Sequence, residues 1–260
     1  MTGPLTIEPI LNRWEIDPAG QGIRLVRGLD GRNILQVRVD LGVLQMEMEG
    51  RPDGQRPHDC ASLLDFHTER LEDYRRRFGS VDGFRVNSAD CQAICDEASQ
   101  YYHRYLSLHQ IGRFPEVARD TARNLRAVDF LHRYAASRDD SWPLVQYRPY
   151  ITMMNALARA STHLSDCDHA AAERVLATAM AAVRHFGGEH VGQVDVSGEL
   201  DILGQRLRDV QLERPKSEID LLQRRLHLAV EREDYEQAAG LRDRLRGLSG
   251  PEPAGLNWPD

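Results

Sequence analysis

From Ile23 to Glu49 apolar and polar residues alternate with a period of two, and from Cys60 onward they recur at spacings of three and four. This predicts a short β unit followed by a long helical one. Ile23 to Gly28 and Asn33 to Leu41 flank LDGR, where Asp30 and Gly31 suit a tight hairpin turn whose central residues need positive φ. Leu35, Val37, Val39 and Leu41 alternate with Gln36, Arg38 and Asp40. After Gly42 the phase slips, and Leu44, Met46 and Met48 become the apolar set. A pleated strand cannot hold one face inward through such a slip, so a bulge or a turn is required at Gly42. A three-stranded antiparallel meander is expected. The loop GRPDGQRP, Gly50 to Pro57, follows; no lysine-serine pair comes after it, so it reads as structural and not as a phosphate-binding loop.

In the helical part, Leu63, Leu64, Phe66, Leu71 and Tyr74 mark a first helix ending near Gly79, and Ser88 is placed to cap a second that runs from Ala89 to Ile111. Gly112 stops that helix, and Pro115 sits where a new one begins without needing its N–H. Val117, Thr121, Leu125, Val128 and Leu131 line one face of the third. A break at SRDDSWP, with Pro143 and Pro149, precedes a pair over Ile151 to Leu164 and Ala170 to Phe186, closed by Gly187 and Gly188. Leu200, Leu203, Leu207 and Val210 form a further amphipathic piece. Three joints look alike: IGRFPEVAR around Phe114, LSDCDHAAAER around Asp168 and EREDYEQAAGL around Tyr235. They resemble the tetratricopeptide style of helical hairpin but do not recur at about 34 residues, so stacked hairpins without a regular repeat are expected. Such stacks commonly present a face to other proteins; an ordinary helical core without a groove is the alternative.

The last helical segment, Ile219 to Leu248, is the most distinctive. Ser217 with Asp220 three residues on is a helix-start signature, and Ile219, Leu222 and Leu226 fall on one face. Asp234 caps a second helix, with Gln237 placed to reach back. Tyr235, Ala238, Leu241, Leu245 and Leu248 are its expected buried stripe, ended by Gly247, Gly250 and Pro251. Ala238 and Ala239 would let the two helix backbones approach, and Tyr235 would cover the open end. The order and spacing of Leu222, Leu226, Tyr235, Glu236, Ala238, Ala239, Leu241, Arg242, Asp243 and Leu245 resemble the UVR motif, the helical hairpin of the excision-repair proteins UvrB and UvrC. Glu233 stands where the repair proteins often carry an apolar residue. The resemblance implies a partner-binding hairpin, carried by Leu222, Leu226, Tyr235, Ala238, Ala239, Leu241, Arg242 and Leu245, that pairs with a similar hairpin on another molecule. A hairpin of about 30 residues hides too little apolar surface to stand alone, which fits that expectation; packing on the rest of the chain is the alternative. The resemblance points to nucleotide excision repair first and to regulated proteolysis second. DLGVLQMEMEGRPDGQRP also resembles the N-terminal part of planctomycete-type proteins that carry a UVR motif at the other end.

These patterns divide the 260 residues into a β region over 1–57, stacked helical hairpins over 58–190, a connecting helix and linker over 191–215, the UVR-like hairpin over 216–248 and a disordered tail over 249–260. The fold class is α+β, mainly α. Hydrophobic content of 41% supports a real core, yet no apolar run approaches the roughly 18 residues of a membrane span. A cytoplasmic location is expected, bacterial by the resemblance. The net charge of −7 argues against a nonspecific DNA clamp.

Catalytic and metal-site signals are sparse. GxSxG, HExxH, Walker and GxGxxG patterns do not occur, and no cofactor is implied. Cys91 and Cys95 share a stripe with Ala98, Tyr102 and Tyr105, which reads as core; a zinc half-site completed by His58 and Cys60 is the alternative. Cys60, Cys91, Cys95 and Cys167 are expected as reduced thiols. For an enzyme, the weakest of candidates are His58, Cys60 and His103; YYHRYLSLHQ, with His103 and His109, reads as satisfied groups at the core boundary, with a pocket lining as the alternative. The leading reading is a non-enzymatic adaptor whose partner is another UVR-containing protein or a second copy of itself, with neither membrane nor nonspecific nucleic-acid binding.

Overall fold

The computed structural model describes residues 7–12, 14, 22–40, 42–215 and 217–249. Leu41, Gly250, Pro251 and the expected tail beyond them lie outside the described residues, as does Lys216. After a short helix α1 (Glu8–Asn12), strands β1 (Ile23–Arg27), β2 (Asn33–Val39) and β3 (Gly42–Glu47) form an antiparallel sheet in the order β1-β2-β3. Ile23 and Leu25 face Val37 and Leu35, which face Leu44 and Met46. The phase slip at Gly42 is therefore a turn, because Val39 pairs with Gly42 across a hairpin of two residues. Leu35 and Met46, at the middle of the apolar face, are buried against the helices. On the opposite face Arg24 donates to Gln36 Oε1 at 2.8 and 2.9 Å, and Gln36 Nε2 donates to Gln45 Oε1 at 2.9 Å.

The helices are α2 (Leu63–Phe78), α3 (Ser88–Gln110), α4 (Phe114–Tyr134), α5 (Arg138–Val145), α6 (Arg148–Ser165), α7 (His169–Glu189), α8 (Ser197–Glu213), α9 (Glu218–Glu231) and α10 (Tyr235–Ser249). Side chains of Ser62, Asn87, Ser137, Asp168 and Ser217 accept from backbone N–H groups two or three residues into the helices they precede. Asn87, and not Ser88, caps α3. Two further expectations are corrected. SRDDSWP is no break but the body of α5, because Ser137 caps it and Pro143 is tolerated in so short a helix. Gly187 and Gly188 do not end α7, which runs to Glu189; a Cβ on Gly187 would meet Val196 Cγ2 at 2.7 Å, so this glycine permits the chain to pass closely.

α3 packs on α4, α4 on α6, α6 on α7 and α7 on α8, giving the stacked hairpins that the pattern implied. The stripe of α3 runs through Cys91, Cys95, Ala98, Tyr101, Tyr105 and Leu108, all buried, while Tyr102 looks outward. Three joints share one geometry. Gly112, Cys167 and Glu233 each stand two residues before the second helix and take φ values of 72°, 56° and 59°. The residue after each, Arg113, Asp168 and Asp234, donates its N–H five residues back, to Leu108, His163 and Ala229, at 2.8 to 2.9 Å.

Arg104, which is buried, and Arg119, which is partly exposed, tie the sheet to the helices. Arg104 reaches Asp120 with Nε and Nη2 at 2.7 and 2.8 Å, and its Nη1 donates to the carbonyls of Glu47 and Gly50 at 2.7 and 2.9 Å. Arg119 Nη2 donates to the Met48 carbonyl at 2.6 Å. Arg123 pairs with Glu97, which also accepts from Leu63 N and lies 3.3 Å from Arg51. The Tyr101 ring is flanked by the guanidinium carbons of Arg104 and Arg123 at 4.9 and 4.2 Å. The loop after β3 is thus anchored to the helices through the Gly50 carbonyl and Arg51.

Candidate functional site

The C-terminal hairpin is built locally. Ser217 Oγ accepts from Asp220 N at 3.0 Å to start α9, and Asp234 Oδ1 accepts from Gln237 N at 3.0 Å to start α10. Between them the chain reverses at Glu233, whose positive φ explains why no apolar side chain is needed there: the position is an exposed turn. A residue with a Cβ pays for this conformation. Glu233→Gly is accordingly expected to stabilise the hairpin by about 1 kcal/mol, read as slower amide exchange in α9 and α10.

Across the two helices Leu222, Ala229, Ala238 and Leu241 are buried, with Leu226 and Leu245 packed beside them, and this cluster contains no residue of the sheet or of α2 to α8. The close approach is made by one alanine from each helix, Ala229 and Ala238. Ala239 is exposed, so the expected adjacent pair is corrected: neighbours on a helix point about 100° apart and cannot both face α9. Ala229 was findable, since it continues the stripe of Leu222 and Leu226.

Two other expectations are overturned. Tyr235 does not cover the open end but is 68% exposed, and Leu248 is 47% exposed. Arg242 is exposed as well. Of the residues that the resemblance singles out, Leu222, Ala238 and Leu241 therefore form the hairpin's own core, Leu226 and Leu245 border it, and Tyr235, Ala239 and Arg242 face away. Ile219 and Val230 add exposed apolar surface on α9.

The shared joint geometry identifies what is unusual about Tyr235. It is the counterpart of Phe114 and His169, each the first residue of the second helix in its hairpin. Phe114 packs against the main core and lies 5.7 Å from the His109 ring, and His169 is buried. In the third hairpin the same position carries a tyrosine left largely exposed. What joins the hairpin to the body at its joint is polar: Arg232 Nη2 donates to the Ser165 carbonyl at 2.8 Å and pairs with Asp166 at 3.1 Å, both side chains being more than half exposed. An exposed pair of this kind contributes on the order of 0–1 kcal/mol.

The alternative catalytic residues do not converge. His58 is exposed and stacks on Phe66 at 3.9 Å, Cys60 is half-buried with its thiol facing Glu69 at 3.6 Å, and His103 is exposed beside Tyr102. Cys60 also has its thiol pushed up, by desolvation first and by the neighbouring Glu69 next, the opposite of an activated nucleophile. Cys91 and Cys95 lie in the core, where burial raises both to about 11. Among the described residues no group of three or more histidine, cysteine or acidic side chains is placed to hold a metal ion, so the zinc half-site is not assembled.

Residues 216–250 match the family model of the UvrB/uvrC motif. The match spans the hairpin and leaves the sheet and the helical body outside it. No curated protein and no solved structure matches the chain.

Proposed function

We propose that this is a protein-interaction adaptor whose C-terminal hairpin docks onto a second hairpin of the UvrB/uvrC type on another protein molecule. The observation that carries this reading is the largely exposed Tyr235, set in a joint whose two counterparts are a partly buried Phe114 and a buried His169. Ile219, Val230 and Leu248 extend the apolar surface available to a partner. Burying these four side chains would contribute at most about 1.5–3 kcal/mol each. Association costs on the order of 4–15 kcal/mol, so the hairpin supports a reversible complex and not a permanent one. The helical body would hold or position whatever the docked partner acts on. Nucleotide excision repair is the process that the matched motif favours. With a net charge of −7, the chain would reach DNA through its partner and not through its own surface.

Sedimentation of the purified chain over a range of concentrations, alone and mixed with a UvrB-type C-terminal hairpin, tests the docking and separates self-pairing from pairing with another protein. Tyr235→Ser is expected to leave the thermal midpoint nearly unchanged, because the residue is 68% exposed, and to weaken the association about tenfold or more, as loss of a central aromatic anchor does. Association that persists undiminished after removal of residues 217–249 would overturn the reading.

A further inference from the structure

A cavity of about 430 Å³ opens between α3, the junction of α5 with α6, and the start of α8. That volume lies within the roughly 300–1,000 Å³ typical of small-molecule sites. Its walls carry Tyr102, Tyr105, Tyr147 and Tyr150, with Asn124 and Glu199. The Tyr102 ring stands 5.5 Å from Tyr105, nearly perpendicular to it, and 6.3 Å from Tyr150. Tyr102 and Tyr147 are exposed large aromatics.

Of the polar groups in this cavity, Asn124 donates to the Ala98 carbonyl and accepts from Arg123, and Ser99 donates to the Cys95 carbonyl. Among the described residues none of the four phenol hydroxyls bonds to a protein group, and none is an enclosed unpaired atom, so each is open to the cavity or to solvent. Glu199 makes no ion pair there either. Burial pushes the Tyr105 and Tyr150 phenols up, so they stay neutral, and Glu199 is the one acidic side chain in the lining. Aromatic faces are electronegative, and a carboxylate adds a full negative charge, so the cavity attracts cations and repels anions. A bare ammonium is strongly hydrated and loses much on entering such a site, whereas an alkylated one presents methyl groups to the rings and its charge to their faces.

We propose that this cavity binds a small organic cation of the alkylated-ammonium class, held by the tyrosine cluster and neutralised by Glu199. It is a site distinct from the docking hairpin and does not depend on it. Two of its rings come from the YYHRYLSLHQ stretch, whose histidines do not take part.

Calorimetric titration of the full chain with choline at neutral pH, beside its uncharged isostere 3,3-dimethylbutan-1-ol, is the test. Choline is expected to bind saturably and the isostere about tenfold more weakly or less, since only the first carries charge. Glu199→Gln should weaken choline about tenfold and leave the isostere unchanged. Tyr147→Ala, at a mostly exposed ring, should weaken choline severalfold without altering the thermal midpoint. The proposal falls if choline gives no saturable heat, if the isostere binds as tightly, or if both variants bind choline as well as the unaltered chain. Should one variant fail to fold, the other variant and the isostere comparison decide.

Discussion

Arg104→Met is expected to destabilise the protein by about 3–5 kcal/mol, as removal of one partner of a buried ion pair does. Arg104 and Asp120 are each 1% exposed, and the guanidinium satisfies four acceptors at once: both Asp120 oxygens and the carbonyls of Glu47 and Gly50. Methionine fills much of the volume but leaves the carboxylate and the carbonyls without their donors. Arg119 Nε, 3.0 Å from Asp120, compensates only in part. Against a typical total stability of about 5–15 kcal/mol this is a large fraction, and urea denaturation should show it as a lower midpoint at unchanged slope. The amides of residues 47–51 should exchange faster than those of α6 and α7, since the lost bonds anchor β3 and its following loop to α3 and α4. Arg104→Met combined with Asp120→Leu should recover most of the loss, because the cost lies in the charge left unpaired. A single variant within about 1 kcal/mol of the unaltered chain would show that the pair does not anchor the sheet.

That network was the least legible part of the sequence. Arginines and carboxylates on an acidic, arginine-rich chain read as solvated surface, and nothing in composition distinguishes a buried pair from an exposed one. Periodicity did hold the signal, however. Arg104 shares the α3 stripe of Tyr101, Tyr105 and Leu108, and Asp120 falls beside Val117 and Thr121, so both were on core faces. The meander, the main helices and the three joints were legible because alternation, helix caps and small turn residues act over a few positions. Misreadings arose where distant chain decides the outcome. Gly187 looked like a stop but is packed under Val196, and SRDDSWP looked like a break but is capped by Ser137. Tyr235 looked like core because its spacing is helical, yet α9 ends before it can cover the ring. In the hairpin, sequence located the buried leucines and Ala238 but could not separate residues that face α9 from residues that face away.

Leu222→Ala is expected to unfold the hairpin while the body stays folded. Leu222 is 1% exposed and, with Ala229, Ala238 and Leu241, makes up the hairpin's small core, so truncating it removes about 2–5 kcal/mol from a unit that has little to spare. The two body clusters contain no residue of α9 or α10, and Arg232 ties the hairpin to the end of α6 through exposed polar contacts, so little of the loss should propagate. Hydrogen exchange should show α9 and α10 losing protection while α3 to α7 keep theirs, with the main thermal midpoint unmoved. Association through the hairpin should vanish with its structure, whereas Tyr235→Ser weakens association with protection intact. The pair of variants thus separates folding of the hairpin from the contact surface proposed for it. A fall of the body midpoint in step with the hairpin would show that the two are one cooperative unit.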